Sequence, residues 1–199
     1  DSGLSIVKND TALDRFRERM MFPIHSFSGR VLGFGGRTLQ KDNKAKYVNS
    51  PESLIYLKSK ILYGIYFAKQ EINKLNNCYI VEGYTDVISL YQAGVQNVVS
   101  SSGTSLTTEQ IKLINRFTKN ITILFDGDAA GLKASFRSID MILSEGMNVR
   151  VVLFPDGEDP DSFAKNSTQE ELMQYLQKNQ QDFITFKTNV LSKDGENDP

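Results

Sequence analysis

Short apolar runs alternate with longer amphipathic segments through the middle of the chain. Four runs have an apolar, β-branched centre, which is typical of strands buried on both faces of a sheet: CYIVEG (78–83), QNVVSSSG (96–103), NITILFD (120–126) and NVRVVLFP (148–155). Three segments between them have helical spacing: DVISLYQAG (86–94), TTEQIKLINRFT (107–118) and AGLKASFRSIDMILSEG (130–146). Parallel strands need crossover connections of about this length. The pattern therefore predicts an α/β fold with a mainly parallel sheet flanked by helices.

The two flanks differ from this middle part. From about residue 21 to 48 the chain is β-rich, with a Ser-Gly turn signal between two runs, which predicts a small antiparallel unit. From Ile61 the spacing becomes helical and ends near Asn76. Three more helices are expected towards the end: SFAKN (162–166), TQEELMQYLQKNQ (168–180) and QDFITFKTNVLS (181–192). The predicted division is a basic β-rich part (1–60), an α/β part (61–158) and a helical segment that starts a linker (159–199).

Composition excludes several classes of protein. No run approaches the roughly 20 apolar residues that span a bilayer, and the first residues lack the apolar region of a signal peptide, so the expectation is a cytoplasmic protein with no membrane contact. Cys78 and His25 are the only Cys and His, which excludes an internal disulfide and a zinc site, so any metal must be held by oxygen. The net charge of −1 gives no argument for nucleic-acid binding, but Lys and Arg are concentrated in the N-terminal third.

Acidic residues follow three of the predicted strands. They lie in CYIVEGYTD (78–86), ITILFDGDAAG (121–131) and VVLFPDGEDPD (151–161). In an open α/β sheet, ligands bind outside the carboxyl ends of the strands, so acids delivered there by different strands converge. The pattern predicts a site for a divalent cation and for phosphate chemistry.

Two of these acidic pairs also have structural explanations. Asp126 and Asp128 are separated by one residue, so an extended chain directs both carboxylates to the same side. Alternatively, Asp128 caps the next helix and Asp126 belongs to a turn. The pair Asp159 and Asp161 flanks Pro160, and taken alone this pattern favours a helix N-cap over a metal ligand.

Glu82 and Asp86 differ from these pairs. Glu82 is neither a favoured cap nor a turn former, and a carboxylate at the end of a buried central strand is costly unless a cation is present. Asp86 lies one helical turn further on, where interaction with the helix dipole explains it at least as well as ligation. Together, Glu82, Asp126, Asp128, Asp159 and Asp161 have enough carboxylates for two Mg²⁺ ions in phosphoryl transfer.

Basic and aromatic residues form a second group of candidates. Arginine binds phosphate in a bidentate way and tyrosine stacks on bases, although a solvated charged surface is the usual explanation for such a group. The glycines of GFGG (33–36) predict either a close backbone approach or a bulged strand. The Ser101–Thr104 loop is a weak candidate for a phosphate contact. The basic and polar candidates are Arg15, Arg17, Arg19, Arg37, Lys46, Tyr47, Asn49, Lys58 and Lys60.

With these residues laid out, the chain resembles the catalytic core of the bacterial DnaG-type primases, including the TOPRIM domain. The superfamily signature is a Glu after one strand and an Asp-x-Asp after a later one, matched by Glu82 and by Asp126 with Asp128. Longer phrases resemble this family in its order: RFRERMMFPI, GRVLGFGGRTL, KYVNSPES, LYGIYFAK, VEGYTDVISLYQAG, SSGTSLTTEQI, FDGDAAGLKA and LFPDGEDPDSF.

The resemblance implies a DNA-templated RNA polymerase that makes short primers, by attack of a 3′-hydroxyl on the α-phosphate of a nucleoside triphosphate. Glu82, Asp126 and Asp128 would be catalytic, and these three with Asp159, Asp161 and Asp86 would hold Mg²⁺ or Mn²⁺, as two ions. Nucleotide and nucleic acid would contact Arg15, Arg19, Arg37, Lys46, Tyr47, Asn49 and Lys58.

The implied partners are single-stranded DNA template, nucleoside triphosphates, the nascent RNA primer and a replicative helicase. The family's zinc domain and helicase-binding domain are expected to be absent, so this fragment should bind metal without zinc, bind single-stranded DNA weakly and make little primer unaided. Two alternatives stay open: a TOPRIM nuclease or topoisomerase, and a nucleic-acid-binding TOPRIM module without catalysis.

Overall fold

The computed structural model describes residues 3–40, 45–103, 105–126, 129–155 and 157–188, without the side chains of residues 8 and 129–135. A short 3-10 turn spans Lys58–Lys60, and residues 183–188 are helical. The strands and helices follow in chain order: β1 Ser5–Lys8, β2 Thr11–Asp14, β3 Arg19–His25, β4 Val31–Thr38, β5 Tyr47–Asn49, α1 Ile65–Leu75, β6 Cys78–Val81, α2 Tyr84–Gln92, β7 Val98–Ser100, α3 Thr108–Asn115, β8 Asn120–Phe125, α4 Ala129–Ser144, β9 Asn148–Leu153, α5 Pro160–Asn166, α6 Gln169–Lys178 and β10 Gln181–Asp182.

The central sheet has the strand order β10-β9-β8-β6-β7. Strands β9, β8, β6 and β7 are parallel, which confirms the predicted mainly parallel sheet. Strand β10 is antiparallel to β9 and pairs through only two residues. This edge strand was predicted as helix; the helical residues begin after it, at 183. The added pairing comes from a neighbouring strand that is distant in sequence, so local spacing gave no sign of it.

The two faces of the central sheet are covered by different helices. Along β6, Cys78 and Ile80 point to one face, and Tyr79 and Val81 point to the other. Helices α1, α3 and α4 cover the first face, while α2, α5 and α6 cover the second. All four side chains of β6 are buried, and each large apolar side chain contributes about 1.5–3 kcal/mol by leaving water. The end of β6 is therefore held rigidly from both sides.

A smaller antiparallel sheet precedes the central one. It has the order β3-β4-β5, as the β-rich pattern predicts, and it contacts α2 through a cluster formed by Phe22, Ile24, Tyr56 and Tyr84. Strands β1 and β2 form a separate exposed hairpin that was not predicted. Its turn places Asn9 and Asp10 at positive φ, which these residues tolerate better than most.

One predicted helix begins later than its spacing indicates. Helix α1 starts at Ile65, four residues after the predicted start at Ile61. Tyr63 instead exchanges two backbone hydrogen bonds with Ser100, next to the central sheet. Gly64 has φ +84°, in the left-handed region, where it precedes the helix. Strand pairing therefore takes priority over helical propensity here. Among the described residues, no helix combines the length and apolarity needed to cross a membrane.

The division at residues 1–60, 61–158 and 159–199 stays a prediction. The small sheet and the central sheet share one contact cluster through Tyr84, and α5 packs against α2 of the central unit.

Candidate active site

A cleft of about 510 Å³ lies at the carboxyl edge of the central sheet, between this edge and the β4–β5 part of the small sheet. It brings together candidates from both groups that the sequence singled out. The acids lining it are Glu82, Asp86, Asp126, Asp159 and Asp161, and the basic and polar residues are Arg37, Lys46, Tyr47, Asn49 and Lys58. Asp128 lies outside the described residues.

The order of the strands explains why the cleft lies here. Strand β6 is followed by β7 on one side, and the chain then crosses to form β8 on the other side of β6. The crossovers after β6 and β8 therefore diverge, and they leave a crevice at the strand ends between them. Glu82 directly follows β6 and Asp126 directly follows β8, so both residues stand at this point.

The Glu82 side chain is exposed, which corrects one argument from the sequence. A solvated carboxylate carries no large burial cost, so burial does not by itself require a cation at Glu82. Its backbone is fixed instead: the Glu82 carbonyl accepts a hydrogen bond from Ser100 Oγ at 2.6 Å and another from the Gly103 N–H at 3.2 Å. The end of β6 is therefore held while its side chain faces the cleft.

Asp86 has a strongly perturbed carboxyl group. Its pKa is raised from 3.8 to about 6, first because of burial. The hydrogen bond that Asp86 Oδ2 accepts from the Gly83 N–H, at 2.8 Å, lowers the pKa, whereas the charges of Asp159, Asp161 and Glu82 raise it. Asp86 lies in the first turn of α2 and caps it through the Gly83 N–H, and the neighbouring carboxylates of the cleft add to its raised pKa.

Asp159 and Asp161 are both engaged by protein groups. Asp159 Oδ1 accepts a hydrogen bond from the Ser162 N–H at 2.6 Å, so it is the N-cap of α5. Asp161 accepts hydrogen bonds from Ser89 Oγ and from Lys165 Nζ, the latter at 2.7 Å.

The pKa of Asp161 reflects these contacts. Burial raises it, but the hydrogen bonds from Lys165 and Ser89 and the charges of Lys165 and Arg37 outweigh burial and leave it below its ordinary value. Ser89 and Lys165 were not among the sequence candidates. The i,i+4 spacing of Asp161 and Lys165 was the available signal for the second of them.

The basic side of the cleft comes from β4, β5 and the Lys58 turn. Arg37 is directly opposite Tyr47 in the strand register, and its guanidinium carbon lies 5.8 Å from the centre of the Tyr47 ring. Lys46 is exposed, and it precedes Tyr47 at the start of β5. An exposed ring beside two cations can contact both a base and its phosphates.

Arg15 and Arg19 are not among the residues that line the cleft, although the sequence grouped them with Arg37. Arg15 Nε donates to the Asn49 carbonyl at 3.2 Å. Arg19 Nη1 donates to the carbonyls of Gly36 and Ala45, at 3.2 and 2.9 Å. Both side chains therefore support the backbone that presents the lining residues.

Tyr84 connects the two sides of the cleft and was not a sequence candidate. Its hydroxyl donates to Asn49 Oδ1 at 2.7 Å, and its ring stacks on Phe22 with centroids 5.1 Å apart. Burial, opposed by a hydrogen bond with Ser102, raises the pKa of Tyr84 to about 12, so the hydroxyl stays protonated. Its place in VEGYTD, two residues after Glu82, was the signal that could have identified it.

The glycines of GFGG serve close packing against aromatic rings. A Cβ on Gly35 would lie 2.6 Å from the Tyr84 ring, and a Cβ on Gly36 would lie 2.6 Å from Phe16. The register between β3 and β4 is also irregular next to Gly33, so the predicted bulge is present beside the close approach.

The Ser101–Gly103 loop offers fewer donors than its sequence indicates. The Ser102 N–H donates to Ser100 Oγ at 2.8 Å, and the Gly103 N–H donates to the Glu82 carbonyl. These two amides stabilise the strand end, so the structure does not support the weak prediction that they contact phosphate. Thr104 lies outside the described residues.

Two family models match the chain. One is described as the DNA primase catalytic core, N-terminal domain, and covers residues 1–69; the other is described as Toprim-like and covers residues 79–164. Together they account for most of the sequence. The chain belongs to the bacterial DnaG primase family.

Individual relatives agree with these models. The chain is 42% identical over 189 residues to a DNA primase of Clostridium acetobutylicum, a match that covers 95% of this chain and 31% of the relative. A crystal structure of a DNA primase domain from Pseudomonas aeruginosa is similar with TM-score 0.89 and 39% identity, covering 98% of this chain and 62% of that one. This DnaG-family chain spans between 26% and 35% of the length of the curated relatives it matches.

A third relative was solved with a ligand. The structure of the DnaG primase catalytic domain bound to single-stranded DNA has TM-score 0.85 and 40% identity to this chain, and it covers 96% of this chain and 60% of that one.

Primases with a TOPRIM domain generally use divalent metal ions. The donors of this DnaG-family cleft fit such an ion in their chemistry, because they are carboxylate oxygens, and after burial the charges of Asp159, Asp161 and Glu82 help to raise the pKa of Asp86. Among the described residues, no three acids, histidines or cysteines are close enough to form a metal site by themselves. An ion held here by the described groups would therefore complete its coordination with water or substrate oxygens.

Proposed function

We propose that this chain is the nucleotidyl-transfer core of a bacterial primase, which makes RNA primers on a DNA template. One observation carries the proposal: a single cleft has acids at the carboxyl ends of two adjacent parallel strands and cations on the facing antiparallel sheet. Phosphoryl transfer needs both, because anionic nucleotides must be attracted and the charge that develops at the reacting phosphate must be stabilised.

Glu82 and Asp126 are the first candidates for holding Mg²⁺ or Mn²⁺, together with Asp128. Both follow central strands whose side chains are buried, so their backbone positions are fixed. When bound, divalent ions lower the energy of the attacking and leaving oxygens, and two ions do so on both sides of the phosphate. Asp159 and Asp86 cap the starts of α5 and α2, and Asp161 binds Lys165, and we assign these three a supporting role in shaping the negative potential.

Arg37, Lys46 and Lys58 are positioned to bind phosphates of the incoming nucleotide, the template or the primer. Tyr47 would stack on a base, with Arg37 beside its ring. Asn49, held by Tyr84, can offer its amide N–H to a sugar or base. Arg15 and Arg19 would act indirectly, by fixing the strands that carry these side chains. The relative solved with single-stranded DNA supports a template as the polymer that is bound.

The remaining partners belong to the whole protein. Nucleoside triphosphates, the RNA primer, a replicative helicase and a cytoplasmic location at the replication fork are proposed by analogy with the longer primases that the chain matches.

The test uses the full-length primase that contains this chain. Glu82→Gln removes a charge at nearly constant shape. It should reduce primer synthesis by about 100-fold or more, since a bound metal ion stabilises the charge of the transition state by several kcal/mol. It should also weaken Mn²⁺ binding in calorimetry. The matched control is Asp140→Asn, an exposed acid on α4 outside the cleft lining, which should leave both measurements unchanged.

Undiminished primer synthesis by the Glu82→Gln variant, with a normal melting temperature, would reject the proposed catalytic role. Cleavage of supercoiled plasmid by the unmodified enzyme would favour a nuclease or topoisomerase instead.

A further inference from the structure

Exposed and half-buried aromatic side chains, together with two cations, form a second surface, which we call the ring patch. It consists of Phe27, Tyr66, Phe67, Lys69, Arg116 and Phe117, contributed by the turn after β3, the first turn of α1 and the end of α3. Phe67 is 53% exposed and Tyr66 is 37% exposed. Large aromatic rings gain by burial, so a group of them at the surface indicates a contact surface.

The ring patch is far from the cleft. In the β3–β4 hairpin, Arg37 pairs with Met20 near one end, whereas His25 pairs with Val31 at the other end, next to Phe27. A strand of seven residues spans about 20 Å at roughly 3.3 Å per residue. Phe117 also precedes β8, on the amino edge of the parallel sheet, while the cleft occupies the carboxyl edge.

Cations are built into the ring patch. Lys69 Nζ lies 4.5 Å from the centre of the Phe27 ring and 4.7 Å from that of Tyr66, and it donates to the Phe27 carbonyl at 3.0 Å. The guanidinium carbon of Arg116 lies 4.9 Å from the Phe27 ring, which itself stacks on Phe117 at 5.5 Å. The cations are thus ordered by the rings themselves.

These two cations are not neutralised by carboxylates in the described part of the chain. The ion pairs found there join Lys74 to Glu71, Lys112 to Glu145 and Lys165 to Asp161, and neither Lys69 nor Arg116 takes part in one. The ring patch therefore has net positive charge beside exposed ring faces. A ligand that complements it must have both anionic groups and flat apolar surfaces.

We propose that the ring patch is a second contact surface for single-stranded DNA, separate from the cleft. Bases would stack on the 53% exposed ring of Phe67, and phosphates would contact Arg116 and Lys69, which is how proteins hold single strands without sequence preference. An acidic peptide could satisfy the cations, but it would need a pocket for an anchoring side chain, whereas bases need only ring faces. The choice of DNA as the ligand rests on the proposed function.

The experiment measures the affinity of the full-length primase for labelled single-stranded oligonucleotides by fluorescence anisotropy. One oligonucleotide is short enough to fill only the cleft, and the other is long enough to extend to the ring patch. Phe67→Leu, which removes the ring but keeps apolar volume, should weaken binding of the long strand by at least about fivefold. Arg116→Gln should reduce the salt slope of long-strand binding by about 0.7. Neither variant should alter binding of the short strand.

Matched controls separate stacking from general effects. Tyr91→Leu removes a 38% exposed ring on α2, and Lys178→Gln removes an exposed cation on α6; both should leave long-strand binding unchanged. Replacing the long strand by an abasic strand of equal length should abolish the effect of Phe67→Leu but keep that of Arg116→Gln. Melting temperatures establish that each variant is folded.

Unchanged long-strand affinity in Phe67→Leu and Arg116→Gln would overturn the ring patch as a DNA surface, and binding of an acidic peptide lost in the same variants would identify a protein partner instead. Lys46→Gln, in the cleft, should weaken both strands. If Lys46→Gln changes the affinity for neither strand while Phe67→Leu weakens binding of the long strand, the proposed function of the cleft is rejected and the proposal for the ring patch is supported.

Discussion

The two walls of the cleft are constructed differently. The acidic wall stands at the ends of β6 and β8, whose apolar side chains are packed between helices on both faces. The basic wall stands on a small antiparallel sheet backed by a smaller cluster, in which the buried residues are Phe22, Ile24, Tyr56 and Tyr84. Strand ends in a deep core have little freedom, whereas the exposed side chains of Lys46 and Tyr47 on a thin sheet can adapt. The difference suits a rigid site for cations opposite an adaptable surface for a polymer.

Supporting contacts repeat this difference. On the acidic wall, hydrogen bonds fix the backbone of Glu82 and engage the carboxylates of Asp86 and Asp161. On the basic wall, Arg15 and Arg19 donate to backbone carbonyls, and the lining side chains of Lys46 and Tyr47 remain exposed. The contacts of the acidic wall therefore hold charged groups in place, and those of the basic wall leave its lining side chains accessible to a ligand.

The largest expected effect is a difference in kinetics between variants of the two walls, in kcat for the acidic wall and in KM for the basic wall. In full-length primase, Asp126→Asn should lower kcat for primer synthesis by about 1,000-fold, with DNA affinity retained, because several kcal/mol of transition-state stabilisation is lost. Lys46→Gln should raise KM about three- to tenfold and leave kcat within about twofold, because it removes binding shared by ground and transition states. Equal losses of kcat in both variants would contradict the division of labour.

The effect of Asp86 on the free energy of unfolding tests the negative potential of the acidic wall. Its pKa in the folded protein, about 6, is raised above its ordinary value of 3.8. Below about pH 4, Asp86 therefore does not destabilise the folded protein. As pH rises through 6, Asp86 ionises in its buried position and the folded protein loses stability. Asp86→Asn keeps an acceptor for the Gly83 N–H. With divalent metal removed by a chelator, Asp86→Asn should increase the free energy of unfolding by up to about 3 kcal/mol near pH 8. Near pH 4 it should leave this free energy unchanged.

Urea unfolding at several pH values measures this difference. Asp140→Asn is the control and should change stability by less than about 0.5 kcal/mol throughout. Added Mn²⁺ should reduce the advantage of Asp86→Asn, since a bound cation offsets the repulsion. A difference that does not grow with pH would show that burial of Asp86 is not the cause.

Gly35 tests how closely the two walls are packed. A Cβ there would lie 2.6 Å from the Tyr84 ring, whereas a Cβ on Gly33 would meet its nearest atoms at 3.2 Å. Gly35→Ala should therefore reduce stability by about 1–3 kcal/mol, as overpacking does, and Gly33→Ala should cost less. Thermal unfolding compares the two variants. An equal or larger cost at Gly33 would mean that the Tyr84 contact is not tight.

The smallest expected effect concerns the hydrogen bond that joins the walls. Tyr84→Phe removes the donor to Asn49 Oδ1 and should cost about 1 kcal/mol of stability. Because the two side chains share one interaction, Asn49→Ala and Tyr84→Phe should be non-additive in the double variant. Tyr91→Phe, on the outer side of α2, is the control. Full additivity would indicate that the hydroxyl and the amide act independently.

Much of this arrangement could be read from the chain. Continuous apolar strands with helix-length connections gave the parallel sheet, and acids directly after β6 and β8 had to lie at its carboxyl edge because parallel strands share that edge. The longer phrases around these acids indicated the primase family, which the family models confirm. The roles of individual site residues stay proposals.

Other features were not readable because they depend on contacts between distant segments. Helix α1 starts late since Tyr63 pairs with Ser100, and β10 forms because β9 offers an open edge. Arg15, Arg19 and Arg37 carry the same charge, but among these three only Arg37 lines the cleft, because the guanidinium groups of Arg15 and Arg19 bind backbone carbonyls of distant residues.

The sequence by itself determined the kinds of strands, helices and acids, since spacing and side-chain chemistry are local properties. The tertiary structure alone decided that Tyr84 joins the walls, that Ser89 holds Asp161, and that the ring patch collects side chains from three separate segments. These contacts depend on the relative positions of packed elements. Such positions are fixed by the whole core, and no short stretch of sequence contains them.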